Sequence, residues 1–215
     1  MHRHLRVFVG SIISLVLLSL AHPTYAQTTR TVTNCTDSTD LAAQVAAANS
    51  GDTINFACGT ATIPFAAGDE ISISNKTLTI NGGGTITLDG QGETRIFDLG
   101  SGANLTVQGL TLTGSGGPDM IGSAIRVTGS TLNVSGSTFT ANSNGATGPA
   151  IQGVFGSVVS ISNSTFTNNT SNIDRGGAIF VQDSTLTVTN STFTNNDTSA
   201  PSGQQGGAIA AIGDR

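Results

Sequence analysis

The side chains able to do chemistry are few in this sequence, and their spacing narrows the field. All three histidines, His2, His4 and His22, precede Ala26. Beyond that point no Ser/His/Asp or Cys/His nucleophile set can be assembled. The carboxylates are scattered: Asp98, Asp174 beside Arg175, and Asp183 stand apart. Calcium sites and the paired acids of glycoside hydrolysis need carboxylates gathered in one place. Asp98 and Arg126 stand at equivalent places in successive repeats. On neighbouring strands they would face each other at about 5 Å, and one acid with one base reads as a surface pair rather than a lyase centre. Gly82-Gly83-Gly84-Thr85 neither continues into Gly-Lys-Ser/Thr nor completes a calcium-binding nonapeptide, so corner glycines are expected there. From the residues alone no catalytic residue, metal ligand or cofactor is expected.

The elements that would position any site come from a repeat. Leu186-Thr187-Val188-Thr189-Asn190-Ser191-Thr192-Phe193-Thr194-Asn195-Asn196 copies Val159 through Asn169, and looser copies begin at Leu132, Leu105 and Leu78. Each step is about 27 residues, and a fixed period of this size signals stacked structural units. In Leu-x-Val and Thr-Phe-Thr apolar residues alternate with small polar ones, the pattern of half-buried strands. Leu132, Val134 and Phe139 should point inward, Asn133, Thr138 and Thr140 outward. A third strand begins at Ile96, Ala124, Ala178 and Ala208. Three strands per repeat, stacked about 4.8 Å apart, describe one coil of an all-β fold, a parallel β-helix. The crossover rule for parallel strands makes it right-handed.

The repeat region spans 66–215, and two other segments precede it. Residues 1–26 carry basic Met1–Arg6, an apolar run from Val7 to Ala21, and small residues ahead of a break after Ala26. That is the pattern of a cleaved secretory leader. Loss of Arg3 and Arg6 with it takes the formal net charge from −5 to −7, and Lys76 is the single lysine. So acidic a chain is a poor partner for nucleic acid or anionic membranes. Residues 27–65 read as an N-terminal cap. Asp40 to Asn49 has high helix propensity, with Thr39 or Asp40 placed to cap its start and Leu41 and Val45 on one face. Asp52–Phe56 reads as the first strand. Cys35 and Cys58 flank the helix, and in an exported protein such a pair reads as a disulfide. A metal or redox pair would want a nearby His or third Cys.

Cys35, the run 41–56, Leu78-Thr79-Ile80-Asn81-Gly82 and the Asp89-Gly90 turn resemble the start of bacterial surface proteins with a CSLREA-type N-terminal region. The hexamer itself is absent, since Cys35-Thr36-Asp37-Ser38-Thr39-Asp40 stands in its place. Gly-Gly-Ala-Ile at 176–179 and 206–209, and Phe-x-x-Asn at Phe166 and Phe193, are similar to the repeats of polymorphic outer-membrane-protein passengers. The resemblance implies a right-handed β-helix displayed on the cell surface or secreted.

Two sets of repeated side chains remain. Asn142, Asn169 and Asn196, with Phe139, Phe166 and Phe193, recur at the repeat period and read as a structural ladder. Thr111/Thr113, Thr138/Thr140, Thr165/Thr167 and Thr192/Thr194 form a Thr-x-Thr column, the last three pairs a candidate binding face similar to that of Thr-x-Thr antifreeze β-helices. The leading expectation is a non-catalytic adhesin or stalk whose ligand is a glycan or a host or neighbouring cell surface. A polysaccharide lyase or hydrolase, or an ice-binding face, are the alternatives. The last strand, at Ala208-Ile209-Ala210, is read as continuing into further turns or meeting another subunit.

Overall fold

The computed structural model describes residues 26–117, 124–144, 147–172, 175–198 and 207–213. The leader ahead of Ala26, and Asp174, lie outside them. The described residues form a parallel β-helix with one helix, Thr39–Ala47. Its wide sheet has 11 strands, a second sheet has six, and a short third sheet has three. No helix among the described residues is long and apolar enough to cross a membrane, which says nothing of a β-barrel.

Three columns of residues with left-handed backbone turn the chain. Asn75, Gly102, Gly129, Gly156 and Asp183 make the first corner. Gly109, Gly136, Asn163 and Asn190 make the second, and Gly114, Ala141, Asn168 and Asn195 the third, all with φ between 48° and 78°. Glycine and asparagine tolerate this conformation best, so their return at the same place in each repeat bends every turn alike. Asn163 and Asn190 therefore serve as corners.

The connection from the third corner to the second sheet varies most in length; the second corner of the first coil, at Gly82-Gly83-Gly84, and the step from the second sheet to the first corner also vary. The second sheet pairs Phe97, Ile125, Ile151, Ile179 and Ile209 in register, although their spacing along the chain is uneven. The steps from Ile71 to Phe97 and from Ile125 to Ile151 are the shortest, and that from Ile179 to Ile209 the longest. Strand Ile151–Val154 is not legible as a repeat, because Gly153 takes the inward place of Val127 and Val154 the outward place of Thr128, which breaks the apolar alternation.

The interior is stacked rung on rung. Leu78, Leu105, Leu132 and Val159 form one buried column, and Ile63, Leu88, Leu112, Phe139 and Phe166 another. Each such side chain contributes about 1.5–3 kcal/mol by leaving water.

The N-terminal segment joins the same wide sheet. Thr29–Val32 pairs with Thr53–Phe56, so the first strand lies one rung earlier than the sequence reading placed it. Arg30 occupies an inward position opposite Ile54, which hides the alternation. Its Nε meets Asp52 at 3.3 Å. The buried Asp52 carboxylate accepts the N–H groups of Thr28 and Asn49, each at 2.9 Å. Those bonds, with Arg30, hold its pKa down at about 2 against the opposing effect of burial. Leu41 and Val45 of the helix are buried against the coil. The N-cap is Ser38, not Thr39 or Asp40. Ser38 Oγ donates to Asp69, and Asp40 instead accepts the N–H groups of Thr33 and Asn34, tying down the incoming strand. Lys76 Nζ donates to the carbonyls of Val45 and Ala46 at 3.2 Å, satisfying the helix C-terminus. Cys35 and Cys58 are joined by a disulfide.

Candidate functional site

The wide sheet bends at the second corner, and each strip carries outward columns of small neutral polar residues. On one strip run Thr29-Thr53-Thr79-Thr106-Asn133-Ser160-Thr187 and Thr31-Asn55-Asn81-Gln108-Ser135-Ser162-Thr189. On the other run Thr62-Thr87-Thr111-Thr138-Thr165-Thr192 and Asp89-Thr113-Thr140-Thr167-Thr194. Asp89 is the one charged side chain in these columns. Hydroxyls and side-chain amides both donate and accept, so the surface is a grid of neutral hydrogen-bonding groups repeating every ~4.8 Å along the coil.

The Thr-x-Thr column read from the sequence lies on this surface, with Thr138, Thr140, Thr165, Thr167, Thr192 and Thr194 in register and facing outward. It continues to Thr87 and Thr62, which sequence reasoning missed, because the steps from Thr62 to Thr87 and from Thr87 to Thr111 are shorter than the later ones. The longer strip holds a shallow depression of about 200 Å³, lined by Asn133, Ser135, Ser160, Ser162, Thr187 and Thr189 over Val134 and Ile161.

The asparagine and phenylalanine ladder faces the interior. Asn169 Oδ1 accepts from Asn142 Nδ2 at 2.9 Å and from its backbone N–H at 3.2 Å. Asn169 Nδ2 donates to Asn196 Oδ1 at 2.8 Å and to the carbonyl of Phe139 at 3.0 Å. Asn142 and Asn169 are buried. Phe139, Phe166 and Phe193 stack in parallel at 4.8 and 4.7 Å. Both sets spend their chemistry on the fold. A serine ladder does the same at the second corner: the N–H of Ser137 donates to Ser164 Oγ, and that of Ser164 to Ser191 Oγ, each at 3.2 Å. Its signal in the sequence is a serine returning at the repeat period beside the corner glycine or asparagine.

Charge collects on the second sheet instead. Arg126 Nε donates to Asp98 Oδ1 at 2.8 Å, and Nη2 to Oδ2, a two-pronged pair. Beside it the buried Arg95 donates through Nη1 to Glu70 Oε2 at 2.6 Å. Burial pushes the Arg95 pKa down, with Glu70 opposing, whereas the Asp98 hydrogen bonds push that of Arg126 up. A groove of about 340 Å³ adjoins this cluster between the helix and strand Ile71–Ile73, with Glu70, Ser72, Ser74 and Lys76 on its walls. The sequence exposed only the Asp98–Arg126 half, because Arg95 precedes its strand and Glu70 stands outside the repeat pattern. Among the described residues no group of three or more His, Cys, Asp or Glu stands close enough to hold a metal.

No protein-family model matches the chain, and no curated protein matches it. Among solved structures it is similar to a PL6 family alginate lyase, with a TM-score of 0.44 and 15% identity. The match covers 89% of this chain and 40% of the lyase chain, so this chain spans less than half the length of that enzyme.

Proposed function

We propose that the protein is a non-catalytic β-helical scaffold, exported and either secreted or held at the cell surface, whose wide sheet binds neutral glycans. The observation that carries this reading is the outward face itself: unbroken columns of Thr, Ser, Asn and Gln with a single carboxylate, Asp89, at one edge. Such a face offers a polyhydroxyl ligand matched donors and acceptors and gives no attraction to a charged one. The leader-like residues 1–26 and the Cys35–Cys58 disulfide support export, because disulfides persist in oxidising compartments. Membership among CSLREA-type and polymorphic outer-membrane-protein-like surface proteins is part of the proposal and rests on the motifs quoted above.

The test is retention of the full chain on immobilised soluble β-glucan, galactomannan and xyloglucan, with alginate as the anionic control. Binding to a neutral polymer without shortening it supports the reading. Binding to alginate alone, or to none, overturns it.

One observation favours a second reading, a carbohydrate-active enzyme: the Glu70–Arg95 and Asp98–Arg126 pairs beside an open groove. That reading requires release of unsaturated chain ends from an acidic polysaccharide, lost on Arg126→Ala. The ice-binding reading of the threonine columns would show as thermal hysteresis lost when Thr165 and Thr167 are made bulky.

A further inference from the structure

The corner at Gly156 differs from the others in its column. Strand Ile151–Val154 follows its neighbour Ile125–Thr128 one position sooner than the repeat period, yet the corner glycines Gly129 and Gly156 keep the full period. Phe155 is the extra residue that restores the register. It has a left-handed backbone, φ 57°, and is 75% exposed. Restoring the register requires a residue at this place, and a positive φ favours glycine or asparagine there. Neither requirement calls for phenylalanine. At Gly102, where the chain also has an extra residue, that residue is Ser101.

A second departure lies beside it. Val158 opens the next strand in the outward column Thr77-Asn104-Thr131-Val158-Thr185, and it is 41% exposed where its neighbours are polar. Phe155 and Val158 thus place the one strongly exposed ring among the described residues at the rim of the neutral polar face. Val158 stands one side-chain step, about 6.8 Å, before Ser160, and Ser160 lines the shallow depression.

We propose that Phe155 is the ring-stacking platform of a polysaccharide-binding subsite, with Val158 beside it and Asn133, Ser160 and Thr187 supplying the hydrogen bonds. This rests on the glycan-binding reading and narrows it. A pyranose has an apolar C–H face and a rim of hydroxyls. The phenyl ring takes the first and the serine, threonine and asparagine columns take the second. The outward columns of Asn133, Ser160 and Thr187 carry no charge, and the one charged residue in the corner column beside Phe155 is Asp183, a carboxylate that repels an anionic chain, so the ligand is a neutral polymer. The strained backbone at an exposed aromatic is the kind of outlier that marks a ligand contact.

The chain contains no tryptophan, so Phe155→Trp installs a single reporter at the subsite. Titration of this variant with soluble β-glucan, galactomannan and xyloglucan should shift its emission to shorter wavelength and saturate with at least one of them. Phe155→Ala should weaken retention of that polymer by tenfold or more. Phe155→Gly should weaken it equally while raising the unfolding midpoint, because glycine relieves the left-handed backbone. A merely structural Phe155 would not give that opposite movement of binding and stability. Undiminished binding by Phe155→Ala overturns the subsite and leaves the polar-face reading standing. If the unsubstituted chain binds none of the neutral polymers, that reading falls and takes the subsite with it.

Discussion

The two long faces of this coil obey different rules. On the wide sheet from Gly109 onward every corner returns at one constant interval, so each outward residue lands on an equivalent one and the surface becomes a neutral lattice. On the second sheet the interval changes from turn to turn, and the face is particular: Asp98 is opposite Arg126, and Gln152 and Phe180 are buried. Periodicity builds a broad, self-similar surface, whereas length changes build local features. Phe155 sits where the two meet, as the residue that restores the constant interval after a short step.

The sharpest test of this contrast uses two phenylalanines. Phe166 is fully buried in the stack, and Phe166→Ala should cost about 3–5 kcal/mol in a denaturant melt. Phe155→Ala, at an exposed corner, should shift stability by no more than about 0.5 kcal/mol in the same assay. Equal losses would erase the distinction between lattice interior and corner.

Next in size is the ladder. Asn169→Ala removes the acceptor of two bonds from Asn142 and the donor to Phe139, leaving buried groups unpaired. A loss of about 2 kcal/mol is expected by the same melt. The third change should stabilise. Ala141 alone among the third-corner residues is neither glycine nor asparagine, and its φ is 52°. Ala141→Gly should gain about 1 kcal/mol. No gain would mean that this corner is not strained by its side chain.

The charged face should yield least. Arg126 is 36% exposed, and Arg126→Ala should cost at most about 1 kcal/mol, less at high salt. Asp52 offers a change of profile rather than of size. Its folded pKa is depressed to about 2, so its contribution is fully present above the ordinary carboxylate value and lost as pH falls toward 2. Asp52→Asn should flatten that acid limb in pH-dependent unfolding.

Much of this was open to reading because the fold is written in period. Inward Leu132, Val134 and Phe139, outward Thr138 and Thr140, and the asparagine column all follow from the constant repeat and the alternation of a strand. Legibility fails where other forces break the pattern. Thr29–Val32 hides behind Arg30, which turns inward to meet Asp52. The strand at Ile151 hides behind Gly153 at an inward place and Val154 at an outward one. Arg95 and Glu70 come together only because the coil brings a distant part of the chain back alongside, and neither has a counterpart in later turns. The threonine column looked shorter than it is because its first steps fall short of the period. Phe155 carried no signal, since one extra residue is visible only against the register of its neighbours.

The most direct measurement of the central claim is to incubate the full chain with soluble β-glucan, galactomannan, xyloglucan and alginate, and to read retention and polymer chain ends in the same samples. Retention on a neutral polymer with no new ends is the predicted result. New unsaturated ends from alginate would contradict it, and would move the functional centre from the lattice of the wide sheet to Glu70, Arg95, Asp98 and Arg126.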